Sequence, residues 1–152
     1  MKLSEQLNQN LIQLKLSGKS KYQVIEDMVN FIYKNEPSID KDIVLRDVIE
    51  REQYLSTGLE NGLAVPHGKT TGTKRLIICL GICKEGIDFD SLDGKLSQII
   101  FLLISPKDTS GPHIQALAQI ARDLKNKTVR DRLIKAENAD QIIDIFRETE
   151  QN

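Results

Sequence analysis

The sequence predicts an α/β fold: a single domain with a mixed β-sheet of about five strands sandwiched between helices on both faces. Three observations carry that expectation. Two wholly apolar runs, 76–83 (LIICLGIC) and 99–104 (IIFLLI), have the unbroken hydrophobicity of strands covered on both sides. Amphipathic helical patterns precede the first run and follow the second, so helices are available for each face of a sheet. The chain has 152 residues, 39% of them hydrophobic, enough for one domain spanning 1–152 with a core that needs no staples.

In order, residues 3–7 suit a short helix, and 11–16 (LIQLKL) alternate apolar and polar like a half-buried strand that Gly18 ends. Ser20 with Gln23 three residues on is a capping-box pattern; it opens a helix to about Lys34, with Val24, Ile25, Met28, Val29 and Ile32 in one stripe. Beyond Pro37 a second helix, about 41–53, turns Ile43, Val44, Val48 and Ile49 inward and carries Arg51 in its last turn. The apolar run 76–83 is read as a strand, Lys84-Glu85-Gly86 as a turn, 87–89 as the next strand and 91–94 as another turn. Pro106 closes the strand at 99–104, and 108–111 is loop chemistry. Pro112 suits the first turn of a helix over 113–124 that turns Ile114, Leu117, Ala118 and Ala121 inward. Residues 129–135 read as helix, and Asn138 with Gln141 caps a last one burying Ile142, Ile145 and Phe146.

Composition narrows the function. A formal net charge of −1 gives no general attraction to nucleic acid. With neither an apolar leader nor a spanning run, the expected location is the cytoplasm, without membrane insertion. Cys79 and Cys83 fall on one face of the first apolar strand and are expected to be reduced core residues. No pair of His and Cys has metal spacing, so no metal site is expected.

The stretch 54–70, YLSTGLENGLAVPHGKT, holds three of the nine glycines and one of the two histidines. Pro66 stiffens the approach to His67, and Gly68 leaves room for a bulky group to come close to the ring. Read alone, Pro-His-Gly is equally a surface turn that contains a histidine. His113 is placed at a helix start, where unpaired N–H groups favour anions and oppose protonation of a ring; it is equally a residue that caps or packs there. Arg51 leads into the His67 loop, or is a solvated helix-face charge. Ser56, Thr57 and Thr70 add hydroxyls near the same loop. Two histidines, an arginine, hydroxyls and glycine-rich backbone together make a phosphate site. Neither a P-loop nor a dinucleotide fingerprint is present.

The pattern RE-x-x-x-STG-x-x-NG-x-A-x-PHG, from Arg51 to Gly68, resembles the type-2 EIIA domain of the bacterial phosphoenolpyruvate-dependent sugar phosphotransferase system, the fructose, mannitol and nitrogen-regulatory family. The likeness continues through Gly86-Ile87-Asp88-Phe89-Asp90-Ser91-Leu92-Asp93-Gly94-Lys95, Ser105-Pro106 and the helix with His113, Leu117 and Ala118, over essentially the whole chain. It implies that His67 takes a phosphoryl group from the phosphocarrier protein HPr and passes it to a cysteine of an EIIB domain. It further implies support from His113 and Arg51, with phosphate contacts from Thr57 and from the backbone of Gly68 and Lys69, and no cofactor. Ser91 to Lys95 leans toward the fructose branch; the nitrogen-regulatory branch, in which phosphorylation controls partner binding, stays open. The chain departs from the common form at Leu59-Glu60, and Glu60 is expected to face solvent, since an anion turned inward would oppose a phosphoryl dianion. Leu59 and Leu63 are candidates for an apolar partner surface around His67, with burial in the core the expected fate of Leu63.

Overall fold

A computed structural model of the chain describes residues 1–18 and 20–151; Lys19 and Asn152, part of the expected 1–152 domain, lie outside the described residues. The elements in order are α1 (Leu3–Gln6), β1 (Ile12–Gln13), α2 (Lys21–Asn35), α3 (Lys41–Tyr54), β2 (Leu63–Ala64), β3 (His67–Lys69), β4 (Ile77–Ile87), β5 (Ser97–Ser105), α4 (Gly111–Asp123), α5 (Lys127–Lys135) and α6 (Ala139–Glu150). The five strands form one mixed sheet. β5 pairs antiparallel with β4, and β1 runs parallel to β4 at one edge. At the other edge β2 and β3 both run parallel to β5, Leu63 opposite Ile99 and His67 opposite Leu103, so Val65-Pro66 interrupts one edge strand without shifting its register.

Side chains alternate along β4 and β5 and divide the core in two. Ile78, Leu80, Ile82, Ile99, Phe101 and Leu103 pack under α1, α4, α5 and α6. Ile77, Cys79, Cys83, Ile100, Leu102 and Ile104 pack under α2 and α3. The expected helix–sheet–helix sandwich is therefore the observed one, and the two cysteines are free, buried and on one face.

Side-chain caps account for the starts of α2, α3, α5 and α6. Ser20 Oγ accepts from Gln23 N–H and Asn138 from Gln141 N–H, as expected, though the Gln23 amide turns to Asp27 instead of back to the cap. Asp40 and Asn126 cap α3 and α5 in the same way, which starts α5 two residues before the expected 129.

Four expectations are corrected. The strand read at 11–16 is only Ile12–Gln13, because a 3₁₀ turn, Gln9–Leu11, takes its first residue. Lys84-Glu85-Gly86 is not a turn and 87–89 is not a separate strand: β4 runs through to Ile87 over a register shift, with Gly86 at φ 83°. A glycine that takes positive φ inside a ladder makes a bulge, which locally looks like a turn. The stretch around His67, read without strands, contains β2 and β3. Finally, α4 is rotated from the expected face. His113, Ala116 and Ile120 are buried, Leu117 is half-buried, and Ile114, Ala118 and Ala121 are exposed.

Candidate active site

The site lies where the edge strand β3, the end of β5 and the start of α4 meet. In β3, His67 and Lys69 share one face and Gly68 takes the other. A Cβ on Gly68 would lie 3.2–3.3 Å from Val48 of α3. The close approach that Gly68 permits is thus to the α3 backbone, behind the sheet, and not to the imidazole face. Its N–H is also committed: Leu103 N–H donates to Pro66 O and Thr70 N–H to Ser105 O, so by alternation residue 68 faces β5 while 67 and 69 face the open edge.

His67 Nδ1 is 2.8 Å from the carbonyl oxygen of Val65. A carbonyl only accepts, so Nδ1 carries the proton and the lone pair of the neutral ring is on Nε2. Burial lowers the pKa of His67; the Val65 carbonyl opposes that, and the Arg51 guanidinium reinforces it. The ring is therefore neutral near pH 7, with a nucleophilic nitrogen.

His113 is in the first turn of α4 and is buried. Its ring centroid is 5.3 Å from that of His67 at an interplanar angle of 64°, an edge-on pair. Nδ1 is 2.5 Å from Ser105 Oγ, itself fully buried at the end of β5. Burial, then His67 and Lys69, push the pKa of His113 down to about 4. Lys69 Nζ donates to the hydroxyl of Ser110, the residue that precedes α4. An ammonium, a helix N-terminus and a guanidinium thus surround two neutral imidazoles, an arrangement suited to an incoming dianion.

Arg51, in the last turn of α3, donates from Nη1 to Leu55 O at 2.7 Å and is close enough to His67 to act on its charge. The neighbouring Glu52 is buried. It accepts from Thr57 N–H at 2.9 Å, Thr57 Oγ at 2.5 Å and Lys21 Nζ at 3.3 Å, and Lys21 also reaches Asp90 at 2.9 Å. Both Thr57 donors are consequently spent on Glu52. Ser56 donates to Phe89 O, and Thr70 Oγ accepts from Gly72 N–H at 3.0 Å. Ser56 and Thr57 brace the loop before His67 and Thr70 the turn after β3; the hydroxyl on an imidazole is that of Ser105, and the one on Lys69 is that of Ser110. Ser105 had one signal, as a lone hydroxyl closing an apolar strand, and Glu52 had another, as the acidic half of Arg-Glu.

The loop between α3 and β2 turns through Asn61 (φ 62°) and Gly62 (φ 75°), with Glu60 exposed as expected. Leu63 is buried and Leu59 is half-buried against the core, so neither is a free apolar surface. Close in sequence to the site residues, Tyr54 and Leu55 after Arg51 and Ile114 after His113 are exposed apolar side chains. Among the described residues no three His, Cys, Asp or Glu side chains converge as metal ligands, and no helix is long and apolar enough to cross a membrane.

Residues 5–149 match the family model described as phosphoenolpyruvate-dependent sugar phosphotransferase system, EIIA 2. The chain is 33% identical to the PTS system fructose-specific EIIABC component of Bacillus subtilis over 96% of its own length and 23% of that relative's. It thus spans about a quarter of that protein. It is 34% identical to the nitrogen regulatory protein of Pseudomonas aeruginosa over 84% of its own length and 83% of the relative's. Among solved structures, nitrogen regulatory protein IIA-Ntr from Neisseria meningitidis superposes with a TM-score of 0.87 at 29% identity, covering 95% of this chain and 98% of that one.

Proposed function

The chain belongs to the type-2 EIIA family of the phosphoenolpyruvate-dependent sugar phosphotransferase system, and on that premise we propose that it is a cytoplasmic phosphocarrier working through His67. His67 Nε2 attacks the phosphoryl group held on a histidine of HPr. The donor's N–P bond breaks, the donor nitrogen keeps the electron pair, and the Nε2–P bond forms. The proton on Nδ1 stays, bonded to Val65 O. The phosphorylated ring is then a cation supported by that carbonyl, and it leaves readily when a cysteine thiolate of an EIIB domain attacks the phosphorus in turn. Little further bond-making help is needed; in-line positioning and charge balance carry the transfer. Arg51, Lys69 and the start of α4 balance the charge, and His113 stands beside the transferred group. Glu52 and Thr57 enter as braces, not as phosphate ligands. Tyr54, Leu55 and Ile114 form the apolar rim that a transient partner covers.

The observation that carries this reading is the Nδ1–Val65 bond, which presents the opposite nitrogen of His67 next to a second neutral imidazole. Ser91 to Lys95 favours a fructose-like transporter as the downstream acceptor. A second reading, in which phosphorylation controls binding to a partner protein, is favoured by the 34% identity to a nitrogen regulatory protein. Both use the same chemistry on His67. Incubation with phosphoenolpyruvate, enzyme I and HPr, followed by mass spectrometry of the acid-labile phosphate, is expected to label His67 and to label nothing in His67→Ala. Discharge of the label onto the cysteine of a fructose-type EIIB supports the transport branch, and retention of the label supports the regulatory one. An unlabelled protein, with an HPr that charges a known EIIA, contradicts both.

A further inference from the structure

The contact between Ser105 and His113 says more about the site, on the premise that His67 carries phosphate. The two imidazoles are held at Nδ1 by different kinds of group. His67 faces a carbonyl, which only accepts; His113 faces a hydroxyl, which can donate. Ser105 lies opposite Lys69 in the β3–β5 register, is fully buried, and has the His113 ring as its side-chain hydrogen-bond partner among the described residues.

A neutral His113 has one N–H. On Nδ1 it would be spent on Ser105 and would leave a lone pair on Nε2, turned against phosphoryl oxygens. On Nε2 it would donate to them, provided that Ser105 gives its own proton to Nδ1. We propose that Ser105 is a positioning residue: its hydroxyl donates to His113 Nδ1, which places the His113 proton on Nε2, where it donates to the phosphoryl group on His67. The same fold thus sets two neighbouring histidines in opposite tautomers, one a nucleophile and the other a hydrogen-bond donor. Burial and the Lys69 ammonium disfavour a proton on both nitrogens of His113 and so keep the choice of tautomer meaningful.

The test is ring ¹⁵N NMR of the full chain at pH 7, together with phosphorylation rates from HPr for the unaltered chain, S105A, H113A and S105A/H113A. The expected result is a His113 protonated on Nε2 that loses that preference in S105A. S105A is expected to slow phosphorylation about tenfold, the scale of one lost hydrogen bond, and to add nothing to H113A. His113 protonated on Nδ1 in the unaltered chain overturns the proposal, and that measurement decides even if S105A does not fold. A slowing by S105A that adds in full to that of H113A also overturns it, because the serine then acts elsewhere. If the unaltered chain is not labelled on His67, the carrier reading fails instead, so the two failures are told apart.

Discussion

Glu52→Gln is the substitution that most sharply tests how the His67 loop is held. The side chain keeps its shape, but the charge that collects Thr57 N–H, Thr57 Oγ–H and Lys21 is gone. Hydrogen bonds to a charged acceptor are worth about 1 kcal/mol more than neutral ones, so the two Thr57 bonds lose about 2 kcal/mol. Lys21 is not stranded, because Asp90 remains at 2.9 Å. Burial works against the Lys21 charge, yet Asp90 and Glu52 together hold its pKa above the ordinary lysine value. Loss of the Glu52 partner therefore adds only up to about 1 kcal/mol, well short of a fully buried broken pair. The sum is about 2–3 kcal/mol, or roughly 5–10 °C in Tm for a domain of this size. Urea unfolding, read at unchanged m-value, is the assay. Lys21→Met in the same background is expected to be non-additive by about 1 kcal/mol. A loss below about 0.5 kcal/mol, or a strictly additive pair, would refute the idea that this buried carboxylate ties α2, α3 and the loop together.

Gly68→Ala puts a methyl within 3.2–3.3 Å of Val48 and is expected to cost about 1–3 kcal/mol as α3 moves off β3; an unchanged urea midpoint would contradict that close seating. Acid should destabilise the domain through the histidines. The His113 pKa is about 4 in the folded state and ordinary when unfolded, so the unfolded chain binds the extra proton and stability falls as pH drops from about 6.5 toward 4. The expected slope is about 1.4 kcal/mol for each pH unit. His67 adds to it in the same direction. H113Q should flatten this dependence, and a parallel profile for H113Q and the unaltered chain would contradict it. Arg51→Gln is expected to raise the His67 pKa in an NMR titration and to slow phosphorylation about tenfold or more, whereas an unmoved titration would remove Arg51 from the electrostatics of the site.

Much of the fold is legible where a local rule and the tertiary demand agree. Ser20 and Asn138 cap their helices because an N-cap is decided within four residues. The strands at 76–83 and 99–104 are visible because burial on both faces leaves no polar position. The misses are cases settled by remote partners. Two- and three-residue strands such as β2 and β3 exist only because β5 supplies the ladder, and no window of that length carries a period. On α4 two candidate faces lie about one residue apart. The face with Ile114, Ala118 and Ala121 loses to the one with Ala116 and Ile120, on which His113 finds the remote hydroxyl of Ser105. At the site, His67 and His113 come edge to edge from β3 and α4, and Arg51 of α3 acts on the His67 charge. The Ser56, Thr57 and Thr70 hydroxyls find partners inside the fold, Phe89 O, the Glu52 carboxylate and Gly72 N–H, and two of those three partners lie outside the local stretch, where no short window of sequence could show them.

On the proposed phosphocarrier chemistry, the Val65 carbonyl fixes the His67 tautomer and so selects the atom that carries phosphate. The direct measurement is long-range ¹H–¹⁵N and ¹⁵N–³¹P NMR of the phosphorylated, ¹⁵N-labelled chain. The expected result is phosphorus bonded to Nε2 of His67, with a proton retained on Nδ1 in slow exchange. Phosphorus on Nδ1, or on His113, would contradict it.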